Sequence, residues 1–412
     1  MFPDSLQATW QEYKRGFSLP GPLYGDPRLL KLELEHIFGK EWIFAGSIAE
    51  IAKVGDFITL EVGKASIIVI RAAEKEVKAF YNVCRHRGAK ICLSDKGSCS
   101  KLRCQYHQWT YDLNGRLIHA RDVGAAFKQE DYSLGQIACE QVYGMIYINL
   151  SSTPSDSILR FRQEVGPYLA YYHLDKLKVA HQTDLIEEGN WKHVMENNRE
   201  CHHCASNHPE LLVGLPDSGF GKGLPENEGE AAPTCDDEAY FSEQRANWKA
   251  KNLPSALIEF PDNMWWRVVR LPLNQGTYTH HHIPGELGSK KLLHNFTKPE
   301  GSGVSLWTHP NGWNHFLCDQ VITFRVLPLA PGKTMVRTTW LVHEEAEGHE
   351  DYDIDLLTHT WTQTNLQDRR LVEMTFQGSQ SPGYKIGPYS PMTEGLVVQF
   401  LDWWHGKMTP YL

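Results

Sequence analysis

Two short segments near residues 84 and 104 each pair a cysteine with a histidine. They read Cys84-Arg85-His86 and Cys104-Gln105-Tyr106-His107. Thiolate and imidazole groups at this spacing can bind one zinc ion or a [2Fe–2S] cluster. Zinc sites usually pair like with like, whereas a Rieske-type cluster takes two cysteines on one iron and two histidines on the other. Because each segment supplies one ligand of each kind, the spacing favours the cluster. The predicted cluster ligands are Cys84, His86, Cys104 and His107.

The residues that follow each segment extend the motif. The runs Cys84-Arg85-His86-Arg87-Gly88 and Cys104-Gln105-Tyr106-His107-Gln108-Trp109 together resemble the cluster motif of Rieske non-haem iron oxygenases. The resemblance continues over nearly the whole chain. It implies a homotrimer in which the cluster of one subunit faces the mononuclear iron of the next. It also implies a separate flavin or iron–sulfur reductase, so that NAD(P)H acts only indirectly.

The same resemblance implies a mononuclear Fe(II) site. Sites of this type use two histidines and one carboxylate on one face of the metal, which leaves positions free for O2. The family pattern of an acid, a histidine three residues later and another five residues beyond maps onto Glu200, His203 and His208. Five residues is not a helical spacing, so a helix must bend or end between the two histidines. The closing motif of the family, matched by residues 364–370, implies Asp368 as the third ligand.

Glu200 is assigned a different role by the resemblance. In family members an acidic residue bridges a histidine of one subunit to a histidine of the next, and that residue is usually Asp. Glu at this position, within residues 196–201, resembles the branch that acts on quaternary ammonium compounds. The implied activity is N-demethylation of stachydrine to N-methylproline and formaldehyde, with glycine betaine as the alternative substrate. A second enzyme hypothesis is an aromatic-ring dioxygenase, which Glu at position 200 disfavours. The alternative that is not an enzyme is a zinc-stabilised binding protein.

Several neighbouring residues have simpler interpretations. His193 and His202 fall outside the pattern and are expected near the site or at the surface. Cys201 and Cys204 form a C-x-x-C pair without a second pair, so they are interpreted as packing residues near the iron. Aromatic faces attract quaternary ammonium groups, but most rings belong to the core, and the sequence does not say which ones form a cation site. The candidates named are Trp265, Trp266, Trp307, Trp313 and Phe316.

Composition restricts the class of protein. The chain has 412 residues, with 50 acidic and 41 basic side chains and a net charge of -9, which does not favour nucleic acid or anionic lipid. Nine cysteines, an odd number, indicate reduced thiols or metal ligands rather than a disulfide framework. No secretory signal is visible and apolar runs are short, so a cytoplasmic metalloprotein without a membrane span is expected. The segment 219–223 is not a dinucleotide fingerprint, because no strand precedes it.

The pattern of elements predicts an α+β chain in three parts. Residues 1–44 form a helical segment that packs on the catalytic domain, and residues 45–150 form a small all-β Rieske domain with a hairpin at Asn114-Gly115. Residues 151–412 form the catalytic domain, with a central antiparallel sheet and a long C-terminal helix (a helix-grip, START-like arrangement). Strands are predicted at 178–187, 321–326 and 334–343. A helix capped by Asn190 and a loop at 214–237 are also predicted. The long helix is predicted over 353–376, with Gly378 as its stop.

Overall fold

The computed structural model describes residues 4–216 and 238–412 and contains two seven-stranded antiparallel sheets with helices around them. The α+β fold class expected from the sequence is therefore confirmed. The predicted loop at 214–237 lies outside the described residues apart from positions 214–216, and so does the segment 219–223. In the part of the chain that the structure describes, no helix has both the length and the apolar character needed to cross a membrane.

Short helices begin the chain and are tied to its C-terminal half. They are α1 (Asp4–Gln11), α2 (Pro22–Gly25), α3 (Pro27–Glu33) and a π-helical turn (Leu34–Phe38). The carboxylate of Glu33 is fully buried and accepts hydrogen bonds from the indoles of Trp191 and Trp404. It also forms an ion pair with Lys192 at 2.6 Å. Removing one member of such a buried pair usually costs about 3–5 kcal/mol, so this contact fixes the helices on the rest of the protein.

The first sheet and a small hairpin sheet follow. Their strands are β1 (Ile43–Ser47), β2 (Asp56–Val62), β3 (Ala65–Ala73), β4 (Glu76–Tyr81), β5 (Lys96–Ser98), β6 (Leu102–Arg103), β7 (Thr110–Tyr111), β8 (Leu117–His119), β9 (Gln136–Val142) and β10 (Met145–Asn149). The large sheet has the order β1-β10-β9-β4-β3-β2-β5, and β6-β7-β8 form the small one. The predicted hairpin at Asn114-Gly115 joins β7 to β8, where Gly115 has a positive φ of 77° that glycine adopts without strain.

The second sheet forms the centre of the C-terminal half. Its strands are β11 (Leu177–Glu187), β12 (Ile258–Glu259), β13 (Trp266–Pro272), β14 (Ser302–Thr308), β15 (Gly312–Phe316), β16 (Val321–Ala330) and β17 (Lys333–His343), in the order β11-β17-β16-β15-β14-β13-β12. The helices around it are α4 (Ser157–Leu169), α5 (Trp191–Asn198), α6 (Cys204–Asn207), α7 (Leu211–Gly214), α8 (Glu238–Ala250), α9 (Ile354–Ser379) and α10 (Gly395–Met408). The predicted strands at 178–187, 321–326 and 334–343 are confirmed.

Both faces of this sheet are covered. On one face Trp313 and Phe324 stack with ring centroids 4.8 Å apart, and Phe324 meets Trp361 of α9 edge-on at 4.8 Å. The opposite face packs against α4, where Phe161 belongs to the same apolar cluster as Leu306. Because β13, β14 and β15 are buried almost throughout, they lack the alternation that would have shown them in the sequence.

The long helix α9 places a ligand candidate in the site. Asp353 caps its start by accepting hydrogen bonds from the backbone N–H groups of Asp355 and Leu356. The helix continues through Gly378 to Ser379, so the predicted stop at Gly378 was wrong. Gly378 does not have the left-handed conformation of a glycine cap, and the helix ends three residues before Pro382.

Candidate metal centres

The two cysteine–histidine segments form matching loops. The N–H of Gly88 donates to the carbonyl of Cys84 at 2.9 Å, and the N–H of Gln108 donates to that of Cys104 at 3.0 Å. Gly88 and Gln108 both have left-handed backbone, with φ of 78° and 64°. Each loop therefore turns back at the fourth residue after its cysteine, and both present their ligands in the same way.

The four side chains of these loops divide into an inner and an outer pair. Cys84 and Cys104 are buried, whereas His86 is exposed and its ring centroid lies 4.5 Å from that of His107. Trp109 stacks on His86 at 4.9 Å and covers one side of the ring. Two thiols inside and two imidazoles outside suit a cluster that uses sulfur on one iron and nitrogen on the other.

Tyr111 adds a contact that was not predicted. Its hydroxyl lies 3.3 Å from Sγ of Cys84 and accepts a hydrogen bond from the backbone N–H of Arg85 at 3.0 Å. Because the oxygen already accepts, its own proton can be donated to the sulfur. Hydrogen bonds to cluster sulfurs tune reduction potential. The only signal in the sequence was the position of Tyr111, two residues after Trp109.

The second group of candidate ligands lies where α5 gives way to α6. Asn190 caps α5 as predicted, by accepting the N–H of Lys192 at 2.9 Å, and the helix ends at Asn198. His203 then precedes the one-turn helix α6, and His208 follows it with φ of -123° and ψ of 61°. The predicted break in helical structure between the two histidines is present, and it turns both imidazoles toward α9.

Three donor atoms meet at this point. Nε2 of His203 lies 3.0 Å from Nε2 of His208 and 3.2 Å from Oδ1 of Asp368, and Nε2 of His208 lies 2.9 Å from the same oxygen. Donors on one octahedral face, held by bonds of about 2.1 Å, stand about 3.0 Å apart. The side chains therefore fit a metal held by two histidines and one carboxylate.

The charges around these atoms also suit a cation. Burial opposes charge on His203, but hydrogen bonds with Asp368 and Glu200 raise the pKa of its imidazole to about 9. Burial likewise opposes charge on Asp368, yet its hydrogen bonds with His203 and His208 hold its pKa below the ordinary value. The two carboxylates thus favour positive charge at this position, which a divalent metal supplies.

Each histidine is oriented through its other ring nitrogen. Nδ1 of His203 lies 2.5 Å from Oε1 of Glu200, and Nδ1 of His208 lies 2.7 Å from Oε1 of Gln367. Both acceptors require the proton on Nδ1, which leaves Nε2 free to bind metal. Gln367 in turn donates to Glu210 at 3.1 Å. Gln367 was missed in the sequence, although it stands directly before Asp368.

Other residues named from the sequence supply none of the three donor atoms. His193 is buried and stacks on Tyr24 at 3.7 Å, where burial lowers its pKa to about 3, and His202 is exposed. Cys201 and Cys204 line the cavity beside the donor atoms, as expected of packing residues near the iron, but they are joined in a disulfide, which corrects the expectation of reduced thiols. The turn between them, with the N–H of Cys204 bonded to the carbonyl of Cys201, brings their Cα atoms within 4.9 Å.

The aromatic candidates from the sequence are mostly core residues. Trp265, Trp266 and Phe316 lie in the cluster on the α4 side of the sheet. The guanidinium groups of Arg199 and Arg267 lie 4.9 and 4.7 Å from the ring centroid of Trp307. The tryptophan that lines the cavity beside the three donor atoms is Trp361. It was not singled out, although it precedes Asp368 by seven residues, two helical turns on the same face.

Comparison with protein families identifies both halves. Residues 41–132 match the Rieske [2Fe-2S] domain, and residues 174–409 match the ring hydroxylating alpha subunit (catalytic domain). The chain belongs to this family of Rieske non-haem iron oxygenases, and it is a monooxygenase oxygenase subunit, an oxidoreductase. The predicted [2Fe–2S] cluster and non-haem iron are confirmed as its cofactors, and O2 with reductase-supplied electrons fits the family. The alternative prediction, a zinc-stabilised binding protein, is therefore wrong.

Individual relatives agree with this assignment. The chain is 42% identical over 397 residues to the glycine betaine monooxygenase oxygenase subunit of Pseudomonas aeruginosa (strain UCBPP-PA14), covering 95% of this chain and 89% of that protein. A solved quaternary ammonium Rieske monooxygenase matches with a TM-score of 0.71 at 20% identity over 98% of each chain. Naphthalene 1,2-dioxygenase from Rhodococcus sp. matches with a TM-score of 0.70 at 18% identity over both whole chains. At these identities the two structures establish the fold alone.

Proposed function

We propose that this oxygenase removes an N-methyl group from a quaternary ammonium betaine, with glycine betaine as the first candidate. The observation that carries the proposal is the cavity beside the donor atoms, which combines the ring of Trp361 with the carboxylates of Glu200 and Asp368. A permanent cation cannot lose its charge on burial and needs π faces or anions around it. The named activity of the 42% identical relative supports this reading and puts glycine betaine before stachydrine.

The ligand sets belong to the same proposal. Mononuclear iron would be held by His203, His208 and Asp368, whose donor atoms lie 2.9–3.2 Å apart. The [2Fe–2S] cluster would be held by the side chains at the tips of the two matching loops, Cys84, His86, Cys104 and His107. The mononuclear iron supplies activation of O2 for oxidation of a C–H bond.

The remaining residues of the site orient the two histidines and line the substrate cavity. Glu200 and Gln367 keep protons on the Nδ1 atoms of the two histidines, so that both Nε2 atoms stay available. Trp361 and Leu211 line the cavity with apolar surface and exclude water from the substrate cation. One O2, two electrons and two protons convert an N-methyl group to N-hydroxymethyl and water. Loss of formaldehyde and a proton then leaves the demethylated amine.

The assembly is also proposed. The exposed His86 edge of the cluster loops suits transfer of an electron to another subunit, and the family resemblance implies a homotrimer. We propose that the cluster of one subunit serves the mononuclear site of the next and that a separate reductase supplies the electrons. Size-exclusion chromatography coupled to an activity assay tests this point, because an active monomer is incompatible with it.

A substrate panel tests the proposed reaction. With a generic ferredoxin-type reductase, glycine betaine is expected to consume one O2 and release one formaldehyde per turnover. Stachydrine is expected to react as well, since its additional methylenes are worth only about 0.8 kcal/mol each when buried. Naphthalene serves as the neutral aromatic control. If naphthalene is oxidised and no betaine yields formaldehyde, the proposed N-demethylation is wrong and the protein acts as an aromatic-ring oxygenase.

The contact between Gln367 and His208 predicts a loss of metal affinity. Gln367→Leu removes the acceptor that orients His208, and such changes typically weaken metal binding by about 10- to 100-fold. The visible absorption of the cluster should remain. Iron retained during dialysis against a graded chelator series gives the measurement, with Gln363→Leu, one turn earlier on α9, as the matched control. Equal iron retention in the two variants would show that Gln367 does not support the site.

A further inference from the structure

The disulfide between Cys201 and Cys204 lies at the mononuclear metal site. Cys201 directly follows Glu200 in the chain, and Cys204 directly follows His203. Both cysteines line the cavity of the three donor atoms. Cys204 is buried, with 3% of its surface exposed, whereas Cys201 is partly exposed. The disulfide is therefore part of the wall around the position proposed for the metal.

The sulfur of Cys204 is close enough to the two histidines to become a ligand. The ligand atoms of His203, Cys204 and His208 all lie within 4.8 Å of one another. A sulfur and a nitrogen bound to one tetrahedral zinc ion, at about 2.3 and 2.1 Å, stand about 3.6 Å apart. The sulfur would therefore have to move by little more than about 1 Å. The N–H of His208 donates to the carbonyl of Cys204 at 2.8 Å, which keeps these two residues together across α6.

The bond to Cys201 prevents this sulfur from binding a metal. The thiolate is the form of cysteine that binds metals, and a sulfur in a disulfide is not a thiolate. With the disulfide closed, the site offers two imidazoles and the carboxylate of Asp368, which leaves positions for O2. With the sulfur of Cys204 released, the same place also offers a thiolate. Four such ligands fill a tetrahedral zinc site, and thiolate ligands favour zinc.

We propose that the pair Cys201–Cys204 is a redox-sensitive site that determines which metal the catalytic half binds. In the oxidised form the site has three protein ligands and binds iron. In the reduced form Cys204 becomes a fourth ligand, and the site binds zinc and loses activity. This inference rests on the ligand set of the proposed function, but it does not depend on the identity of the substrate.

A dithiol is the chemical class of reductant that suits this site. One thiolate of the dithiol attacks Sγ of the partly exposed Cys201, a new sulfur–sulfur bond forms there, and the sulfur of Cys204 leaves as a thiolate. The second thiol of the reductant then displaces Cys201, and the reductant becomes a disulfide. Two electrons and two protons pass from the dithiol to the two cysteines. Cys204 gives up its proton again when its sulfur binds zinc.

Two single substitutions break the disulfide equally but leave different sulfur atoms. Cys201→Ser keeps the sulfur of Cys204, and Cys204→Ser removes it. Each variant, with its cluster in place, is freed of mononuclear metal by a chelator and given Co(II), whose thiolate complexes have a charge-transfer band in the near ultraviolet. The difference spectrum of Cys201→Ser should show this band, and those of Cys204→Ser and the unaltered protein should not. If the disulfide serves packing alone, the two variants should behave alike.

Metal competition gives a second measurement. With equal Fe(II) and Zn(II) and without oxygen, the ratio of zinc to iron bound should be at least about tenfold higher in Cys201→Ser than in Cys204→Ser. A direct ligand should affect metal affinity at least as much as a residue that orients one. Reduction of the unaltered protein with tris(2-carboxyethyl)phosphine should raise the ratio in the same way. Mass spectrometry after alkylation then shows whether both cysteines were reduced.

The possible results separate this inference from the proposed function. If Cys201→Ser does not fold, the metal ratio of the phosphine-reduced protein decides the matter. Absence of the cobalt band from Cys201→Ser, or an unchanged metal ratio after reduction, would overturn the redox-sensitive site and leave the proposed function intact. If the unaltered, oxidised protein binds neither Fe(II) nor Co(II) at the mononuclear site, the ligand set of the proposed function is itself wrong.

Discussion

Asp368→Ala is expected to leave the protein brown and to abolish turnover. The substitution removes one of three donor atoms that lie 2.9–3.2 Å apart, and two imidazoles alone do not retain the metal. Metal-assisted chemistry contributes several kcal/mol, so the loss of rate should be at least about a thousandfold. Formaldehyde release and iron content give the measurements, and Asp355→Ala near the exposed start of α9 is the matched control.

The reciprocal change isolates the cluster. Cys84→Ala removes a buried thiol that we propose as a cluster ligand, so the visible absorption should disappear while mononuclear iron stays at about one per chain. Cys139→Ala, a free cysteine on β9, should keep the colour. Asp368→Ala and Cys84→Ala should therefore each lose one iron centre and keep the other, which shows that the two centres are held independently. Loss of colour in Asp368→Ala, or normal colour in Cys84→Ala, would contradict the ligand assignment.

The local parts of the site were predictable from sequence. The four proposed cluster ligands lie within 24 residues, and each loop is closed by a short backbone turn, so their spacing was enough to predict a cluster site. The contact between His203 and Glu200 is also local, three residues apart. Asp368 is 165 residues from His203, and only the family resemblance indicated it before the structure brought the two together.

Non-local contacts were not predictable. The pair Trp361–His280 joins residues 81 apart, one on a helix and the other on a loop, and neither has a pattern that marks it in the sequence. The continuously buried strands around Ser305 also gave no alternation. The disulfide at Cys201 depends on a turn that a cysteine count does not reveal. The domain boundaries at residues 45 and 150 stay predictions, since helices and sheets do not by themselves divide the chain there.

Glu200 stands between two cavities, which is why its replacement should affect electron transfer more than metal content. Its carboxylate contacts Nδ1 of His203 at 2.5 Å and lines the metal-side cavity. It also lines a neighbouring cavity, whose other lining residues include His203, Glu196 and Tyr389. A group in this position can orient His203 on one side and meet a histidine of a neighbouring subunit on the other, as the proposed trimer requires.

Glu200→Ala is therefore expected to slow re-oxidation of the reduced cluster by at least about a hundredfold in a single turnover with O2 and glycine betaine. Stopped-flow absorbance of the cluster measures this step. Excess Fe(II) is needed, because a histidine that loses its partner binds metal about 10- to 100-fold more weakly. Glu200→Gln keeps a hydrogen-bond acceptor for Nδ1 of His203 without the charge, so it should retain iron better than the alanine variant. If iron-loaded Glu200→Ala re-oxidises its cluster at the rate of the unaltered enzyme, electrons reach the mononuclear site by another route, and Glu200 only positions His203.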